Sequence, residues 1–376
     1  MIEVDLAIVG AGLAGCALTR CLGSNGFEGS ILLLEAGRGP GGRASSRRHR
    51  GDSIWRLDHG APALNFSAAP QGALAALLQP LLDQGVLVEE QRPLVWLDGE
   101  AQRIDGSPQG ISYAGAPTMA SVCEALLEQA PVRHQSVFAC RLRWLERSSG
   151  RWLLANAERT EVFAAKRLVL TGTLLAHPRS LAMLAWGETP LREAVPRGAD
   201  RQLDSALEFI AGIDASVRWN LMLALPAAEI RGLPRQIHLN AVAQQRWGIE
   251  RLVLQAQSDG RLGIVVHGLD DGRSITPESQ PALLRHHEQR LRSALPEVLR
   301  SWPELQRALG QAESYGVMRW GAAVPTTGGL PAHLQWCPKS SVGFAGDWIN
   351  GPGYGCGEGA FRSAIALAEQ LKLSRF

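Results

Sequence analysis

Lysine is almost missing from this 376-residue chain, occurring only at Lys166, Lys339 and Lys372, so its basic character is nearly all arginine. The 38 basic residues face 36 acidic ones, a net charge of +2, which offers no overall field to draw in nucleic acid or an anionic membrane surface. No apolar run approaches the roughly 20 residues of a membrane-spanning helix. Glu3 and Asp5 interrupt the stretch that a secretory signal would keep apolar. The cysteines, Cys16, Cys21, Cys123, Cys140, Cys337 and Cys356, form no CxxC pair and no metal-ligand spacing; reduced thiols in a cytoplasmic protein without a metal are expected. No internal repeat or low-complexity tract is visible. What is present, 45% apolar residues and 41 glycines, describes a globular chain long enough for two domains.

The apolar run Val4-Asp5-Leu6-Ala7-Ile8-Val9 feeds directly into Gly10-Ala11-Gly12-Leu13-Ala14-Gly15. In this GxGxxG spacing Gly10 permits the tight strand-to-helix turn, Gly12 lets the backbone reach a pyrophosphate, and Gly15 lets the helix pack closely on the strand. Leu13, Ala14, Ala17, Leu18, Cys21 and Leu22 follow at helical spacing. Ile31-Leu32-Leu33-Leu34 then reads as a second buried strand, with Glu35 and Ala36 at its carboxyl end and the acid set to accept ribose hydroxyls. Strand, turn, helix, strand and acid together specify a dinucleotide-binding unit whose helix N-terminus faces the phosphates.

A second glycine-rich loop, Ala36-Gly37-Arg38-Gly39-Pro40-Gly41-Gly42-Arg43, follows. Gly41 and Gly42 permit close backbone approach, and Arg43 can fork onto a pyrophosphate. Leu57-Asp58-His59-Gly60-Ala61 supplies another small-residue turn. Near the end, Val342-Gly343-Phe344-Ala345-Gly346-Asp347-Trp348 repeats the order of strand, glycine and acid. Gly351-Pro352-Gly353-Tyr354-Gly355-Cys356-Gly357-Glu358-Gly359-Ala360 then leads into a terminal apolar helix, so a second helix N-terminus points at a ligand. Asp347 is expected to meet hydroxyls of that ligand. No second GxGxxG is present, which argues against a separate NADPH domain.

These segments, with Arg167-Leu168-Val169-Leu170-Thr171-Gly172 and His134-Gln135-Ser136-Val137, resemble the flavin-dependent amine oxidase superfamily. Ser216-Val217-Arg218-Trp219, Leu262 to His267 and Met318-Arg319-Trp320 are similar to segments of its renalase-like members that line the face of the flavin. The resemblance implies noncovalent FAD, since Cys356 sits in a glycine turn rather than at the covalent position. It also implies that the Val137 backbone meets adenine, and that Gly10, Gly12, Leu13, Ala14, Gly15, Glu35, Ala36, Gly42, Arg43, His59 to Ala61, Thr171, Gly172, Gly346, Asp347 and Gly357 to Ala360 hold the cofactor. It implies a Rossmann-like FAD-binding domain with an inserted mixed-sheet substrate domain, an α/β architecture. Residues 1–62, 133–175 and 312–376 are expected on the cofactor side, and 63–132 and 176–311 on the substrate side.

Many superfamily members use a lysine near flavin N5, yet none of the three lysines lies in a segment expected there. A dihydropyridine donates hydride without losing a proton from nitrogen, so oxidation of a dihydronicotinamide is expected, and the resemblance implies the 2- or 6-dihydro isomers of NAD(P), with dioxygen reoxidising the flavin. The open alternatives are an amine oxidase, a desaturase-like dehydrogenase of an apolar molecule, and a flavin-binding assembly protein without turnover. Arg218, His267 and Trp320 are the candidate catalytic residues. His267 could donate to a substrate amide or be a satisfied core group, and Arg218 could meet a carboxamide, a phosphate or an internal acid. Trp219 and Trp320 are candidate pocket walls. Arg47, Arg48 and Arg50 form either a phosphate-steering patch or a solvated loop.

Overall fold

The alternation of apolar side chains through the first strands puts Leu6 and Ile8 on one face and Ala7 on the other, all essentially inaccessible to solvent. Burial on both faces is the mark of a parallel sheet covered by helices on two sides. The computed structural model describes residues 1–49, 51–106, 110–226 and 232–373, and shows that sheet. The strand Ile2–Val9 lies parallel between Ile31–Leu34 and Val162–Leu170. His134–Val137 extends it beyond Ile31–Leu34, and Val342–Phe344 joins the carboxyl half of Val162–Leu170, again in parallel. The amino half of Val162–Leu170 instead pairs antiparallel with Arg151–Asn156, which forms a hairpin with Leu142–Ser148.

One face packs on the helices Leu13–Ser24, Gly72–Asp83, Met119–Glu128 and Gly357–Leu373, through Leu18, Leu78, Val122 and Phe361 among others. Thus the helices of 63–132, expected on the substrate side, share the core of the cofactor sheet. The opposite face carries Leu32, Leu168, Leu170 and Phe344 against Leu203, Leu207 and Ile210 of the helix Arg201–Ala211. The glycine- and proline-bearing stretch 187–198 contains the short helix Pro190–Ala194, whose Leu191 is fully buried.

A second, mostly antiparallel sheet runs Glu313–Thr327, Asp214–Leu225, Leu262–Leu269, Ile249–Ala256, Gln236–Leu239, Leu94–Leu97, Arg103–Ile104. Glu313–Thr327, expected with the cofactor segment 312–376, is a full strand of this sheet and makes its longest pairing with Asp214–Leu225. One face is sealed by Leu291, Leu295 and Val298 of the helix Gln280–Val298, packed on Leu221, Leu223, Leu252 and Val266. The other face turns toward the first sheet. There Gln255 makes two hydrogen bonds to the backbone of Asp58, at 2.9 and 2.8 Å, so the sheets meet at the Asp58 to Ala61 turn. Among the described residues no helix is long and apolar enough to cross a membrane.

Candidate active site

The helix Leu13–Ser24 starts at Gly12 without a side-chain cap, leaving the first-turn amides to face outward. Gly10 adopts φ +107°, and a Cβ there would stand 2.3 Å from the Thr171 hydroxyl. That hydroxyl donates to the carbonyls of Val9 and Gly10. At Gly15 a Cβ would lie 2.0 Å from the Gly10 carbonyl, which explains the helix's close approach to the strand. Gly42, at φ +54°, would bring a Cβ within 3.0 Å of Gly12 Cα, so the two glycine loops touch backbone to backbone. Open space lies beside Gly172. Leu13 and Ala14 form the first turn of the helix. Glu35 stands at the carboxyl end of its strand, where its Oε2 accepts the Ala11 amide at 2.9 Å and its Oε1 the Gly37 amide at 2.6 Å. Ala36 is exposed beside it. The Val137 carbonyl accepts the Glu35 amide, fixing the neighbouring edge strand. Free helix-terminal amides, contact between glycine backbones and a carboxylate with spare lone pairs fit the pyrophosphate and ribose of a dinucleotide.

At the other end of the chain, Asp347 is bonded to Arg43. Its two carboxylate oxygens take the two terminal nitrogens of the guanidinium, one at 2.7 Å, and Arg43 also donates to the Ala323 carbonyl. The two side chains, expected to meet pyrophosphate and cofactor hydroxyls, converge where the loops meet and bond each other. Gly346, at φ +154°, donates its amide to Ser363 of the terminal helix. Gly357, Glu358, Gly359 and Ala360 open that helix. A Cβ on Gly359 would meet the Gly353 carbonyl at 2.4 Å, so the turn folds back on the helix start. The buried Glu358 carboxylate bonds Ser67 and Arg362 rather than open space. Burial would raise its pKa, but the Ser67 amide and Arg362 hold it below the ordinary range.

The Asp58 to Ala61 turn joins these loops to the second sheet. The Arg43 carbonyl accepts the Ala61 amide at 2.7 Å, and Gly60 lies so close that a Cβ would stand 1.9 Å from it. The His59 carbonyl accepts Asn220 at 2.8 Å and the Trp320 indole at 3.2 Å, and the His59 ring stacks on Trp320 with centroids 5.4 Å apart. His59 is buried, and burial with the nearby Arg47 charge brings its pKa down to about 4.

Along Asp214–Leu225, Arg218 and Asn220 alternate with Trp219. Trp219 therefore points away from Trp320, stacks on His287 and donates to Asp270, so it is no pocket wall. Arg218 meets an internal acid, Glu250, at 2.5 Å. His267 is 3% exposed, and its Nε2 has no partner among the described residues. Burial, with Arg251 and Arg218 close by, holds its pKa well below the ordinary value.

The residues not foreseen from sequence are Asn220, His238, Glu250 and Arg251. Direct pairing across four strands lines up Asn220, His267, Arg251 and His238 in one row on the face turned to the cofactor loops. Asn220 Oδ1, His267 Nε2, Arg251 Nε and His238 Nε2 are all buried without a hydrogen-bond partner among the described residues. Buried polar atoms are normally satisfied, so four in one row make this face a candidate ligand site. The available signal was polar residues interrupting four otherwise apolar strands; alignment into one row depends on register.

None of the three lysines reaches this row. Lys166 pairs with Asp5 at 2.7 Å, and Lys339 and Lys372 are exposed. Arg47 and Arg48 lie in a strand, Ser46–His49, rather than a loop, and Arg48 pairs with Glu124. Arg50 lies outside the described residues.

Residues 8–81 match the family of NAD(P)-binding Rossmann-like domains. No curated protein matches the sequence. Among solved structures, a putative protoporphyrinogen oxidase from Exiguobacterium sp. 255-15 superposes with a TM-score of 0.63 at 14% identity, covering 100% of this chain and 99% of the other. The fold is of the amine oxidase type. Putrescine oxidase, in its structure bound to putrescine, matches over 100% of both chains with a TM-score of 0.62 and 13% identity. An oxidoreductase from Methanosarcina mazei matches 97% of this chain and 100% of its own, with a TM-score of 0.61 and 13% identity. The architecture expected from sequence, a Rossmann-like domain with a mixed-sheet partner, is thus the one these oxidoreductases share.

Proposed function

We propose that this chain is a renalase-like, FAD-dependent oxidoreductase that takes hydride from a dihydronicotinamide dinucleotide, the 2- or 6-dihydro isomer of NAD(P), with dioxygen as the final acceptor. The observation that carries this reading is the row of partnerless buried polar atoms on Asn220, His267, Arg251 and His238, facing the glycine loops. The first-turn amides after Gly12 and the carboxylate of Glu35 suit the adenosine diphosphate half of noncovalent FAD, and the start of the terminal helix suits the flavin half. When bound, the flavin supplies a two-electron acceptor.

The chain's own residues then need to hold the donor and exclude wrong geometries. Asn220 and His267 offer an acceptor and a ring nitrogen for an amide or ring substituent. Trp320, braced on His59, offers an apolar wall. Among the described residues no lysine stands near the row, and burial makes the histidines around it poor bases for an amine proton, His59 and His238 being lowered to about 4. A dihydropyridine needs no such base, which favours it over an amine.

Anaerobic mixing of the FAD-loaded protein with the dihydro isomers, with ordinary NAD(P)H and with a panel of amines tests the proposal. Fast bleaching by the dihydro isomers is expected. Bleaching by amines alone would overturn the donor assignment, and no bleaching by any donor would favour a binding role without turnover.

A further inference from the structure

Among the described residues Arg251 has no ion-pair partner. It lies between His267 and His238 in the row described above, on the sheet face opposite the helix Gln280–Val298. The pairing register shifts between Ile249 and Arg251, a bulge that lets both Glu250 and Arg251 serve the inner face. Glu250, however, is already bonded to Arg218 through that guanidinium's Nε. Among the described residues the Arg251 guanidinium makes no hydrogen bond or salt bridge, and its Nε is buried. Cys356, at the start of the terminal helix, is within reach of its field, so the group sits between the sheet and the second glycine turn.

The charges do not cancel. Arg218 and Arg251 bring two positive charges against the single carboxylate of Glu250. The surrounding histidines are neutral at physiological pH and add nothing. Arg251 is partly exposed, with its Nε buried and unpartnered, and a carboxylate is the group its planar fork matches in two parallel bonds.

We infer that Arg251 receives a carboxylate carried by the electron donor, so that the pyridine ring taken by this site bears the acid in place of the amide. The inference rests on the dihydropyridine reading and narrows it to the 3-carboxylate form. His267 stands beside the guanidinium in the row, and its unpartnered ring nitrogen can donate to the same substituent.

Nicotinate and nicotinamide share a ring and differ in charge, which makes them the probes. Calorimetric titration of the oxidised, FAD-loaded protein should show nicotinate binding more tightly. Arg251→Gln should weaken nicotinate by about 30-fold or more while leaving nicotinamide within about twofold. Glu250→Gln, which removes the opposing carboxylate, should tighten nicotinate and keeps the test open if the Arg251 variant does not fold. Equal affinity for both ligands, equal weakening of both by Arg251→Gln, or weaker nicotinate binding in Glu250→Gln would overturn the inference. Tight binding of nicotinamide mononucleotide through Arg251 without binding of nicotinate would assign the anion to a phosphate and overturn the carboxylate. Arg251-dependent nicotinate binding with no bleaching by any dihydropyridine would sink the donor assignment and leave the anion site standing. Rapid bleaching with acid and amide bound alike would do the reverse.

Discussion

Arg43 and Asp347, 304 residues apart in sequence, grip each other through both nitrogens and both oxygens. The Asp347 side chain is 5% exposed and that of Arg43 37%, so the acid depends on its partner far more than the arginine does. Removing only Arg43 leaves a buried carboxylate uncompensated, a loss of about 3 to 5 kcal/mol for a fully buried pair and less here because Arg43 is partly solvated. Arg43→Ala should therefore be less stable than Arg43→Ala combined with Asp347→Asn. A double-mutant cycle by urea denaturation checks this, and independent, additive effects would refute the pair's structural role.

The glycine loops separate cofactor loss from fold loss. Gly12→Val adds bulk where the two loops touch, and should give a folded, colourless protein by circular dichroism and flavin absorbance. Gly15→Ala drives a Cβ to 2.0 Å from the Gly10 carbonyl and should lower the melting temperature itself. Retention of FAD by Gly12→Val would refute the phosphate-loop assignment.

His267 and Arg218 should behave differently although they sit on adjacent strands. His267 Nε2 has no hydrogen-bond partner among the described residues, so His267→Gln should keep its FAD and fold and slow flavin reduction by about 10- to 100-fold through misplacement of the donor. Arg218→Ala strands Glu250 and should cost stability first. Stopped-flow reduction alongside thermal melting distinguishes the two, and a His267 variant that reduces at the native rate would remove it from the site.

Stability should fall as the solution is acidified from pH 6.5 toward 4. His59 and His238 have folded pKa values of about 4 against an ordinary 6.5, depressed chiefly by burial. The unfolded chain thus binds more protons in that window, and each histidine contributes a slope of up to about 1.4 kcal/mol per pH unit, with stability higher at higher pH. Urea midpoints between pH 5 and 7 should rise with pH, and His59→Gln should reduce the slope by close to one proton. An unchanged slope would show that His59 titrates normally.

The cofactor half was legible in the chain because its determinants are local. Gly10 to Gly15, the apolar strand before them and Glu35 after Ile31–Leu34 are fixed by turn geometry and by alternation along single strands. The strands around Arg218 and His267 were legible too, as apolar runs. Their partners were not: the Arg218–Glu250 pair and the outward face of Trp219 follow from strand pairing and from a bulge that no local pattern announces.

The sequence by itself determined that a dinucleotide cradle opens the chain, that its glycines permit contact with phosphate, and that no lysine is available to the expected flavin face. Only the tertiary structure decided that Arg43 and Asp347 close on each other and that Asn220, His267, Arg251 and His238 form one row. The reason is physical: turns and helix starts are set by dihedral limits of a few neighbouring residues, whereas a row across a sheet is set by register among strands distant in the chain. The excess positive charge at Arg251 exists only once that register is made.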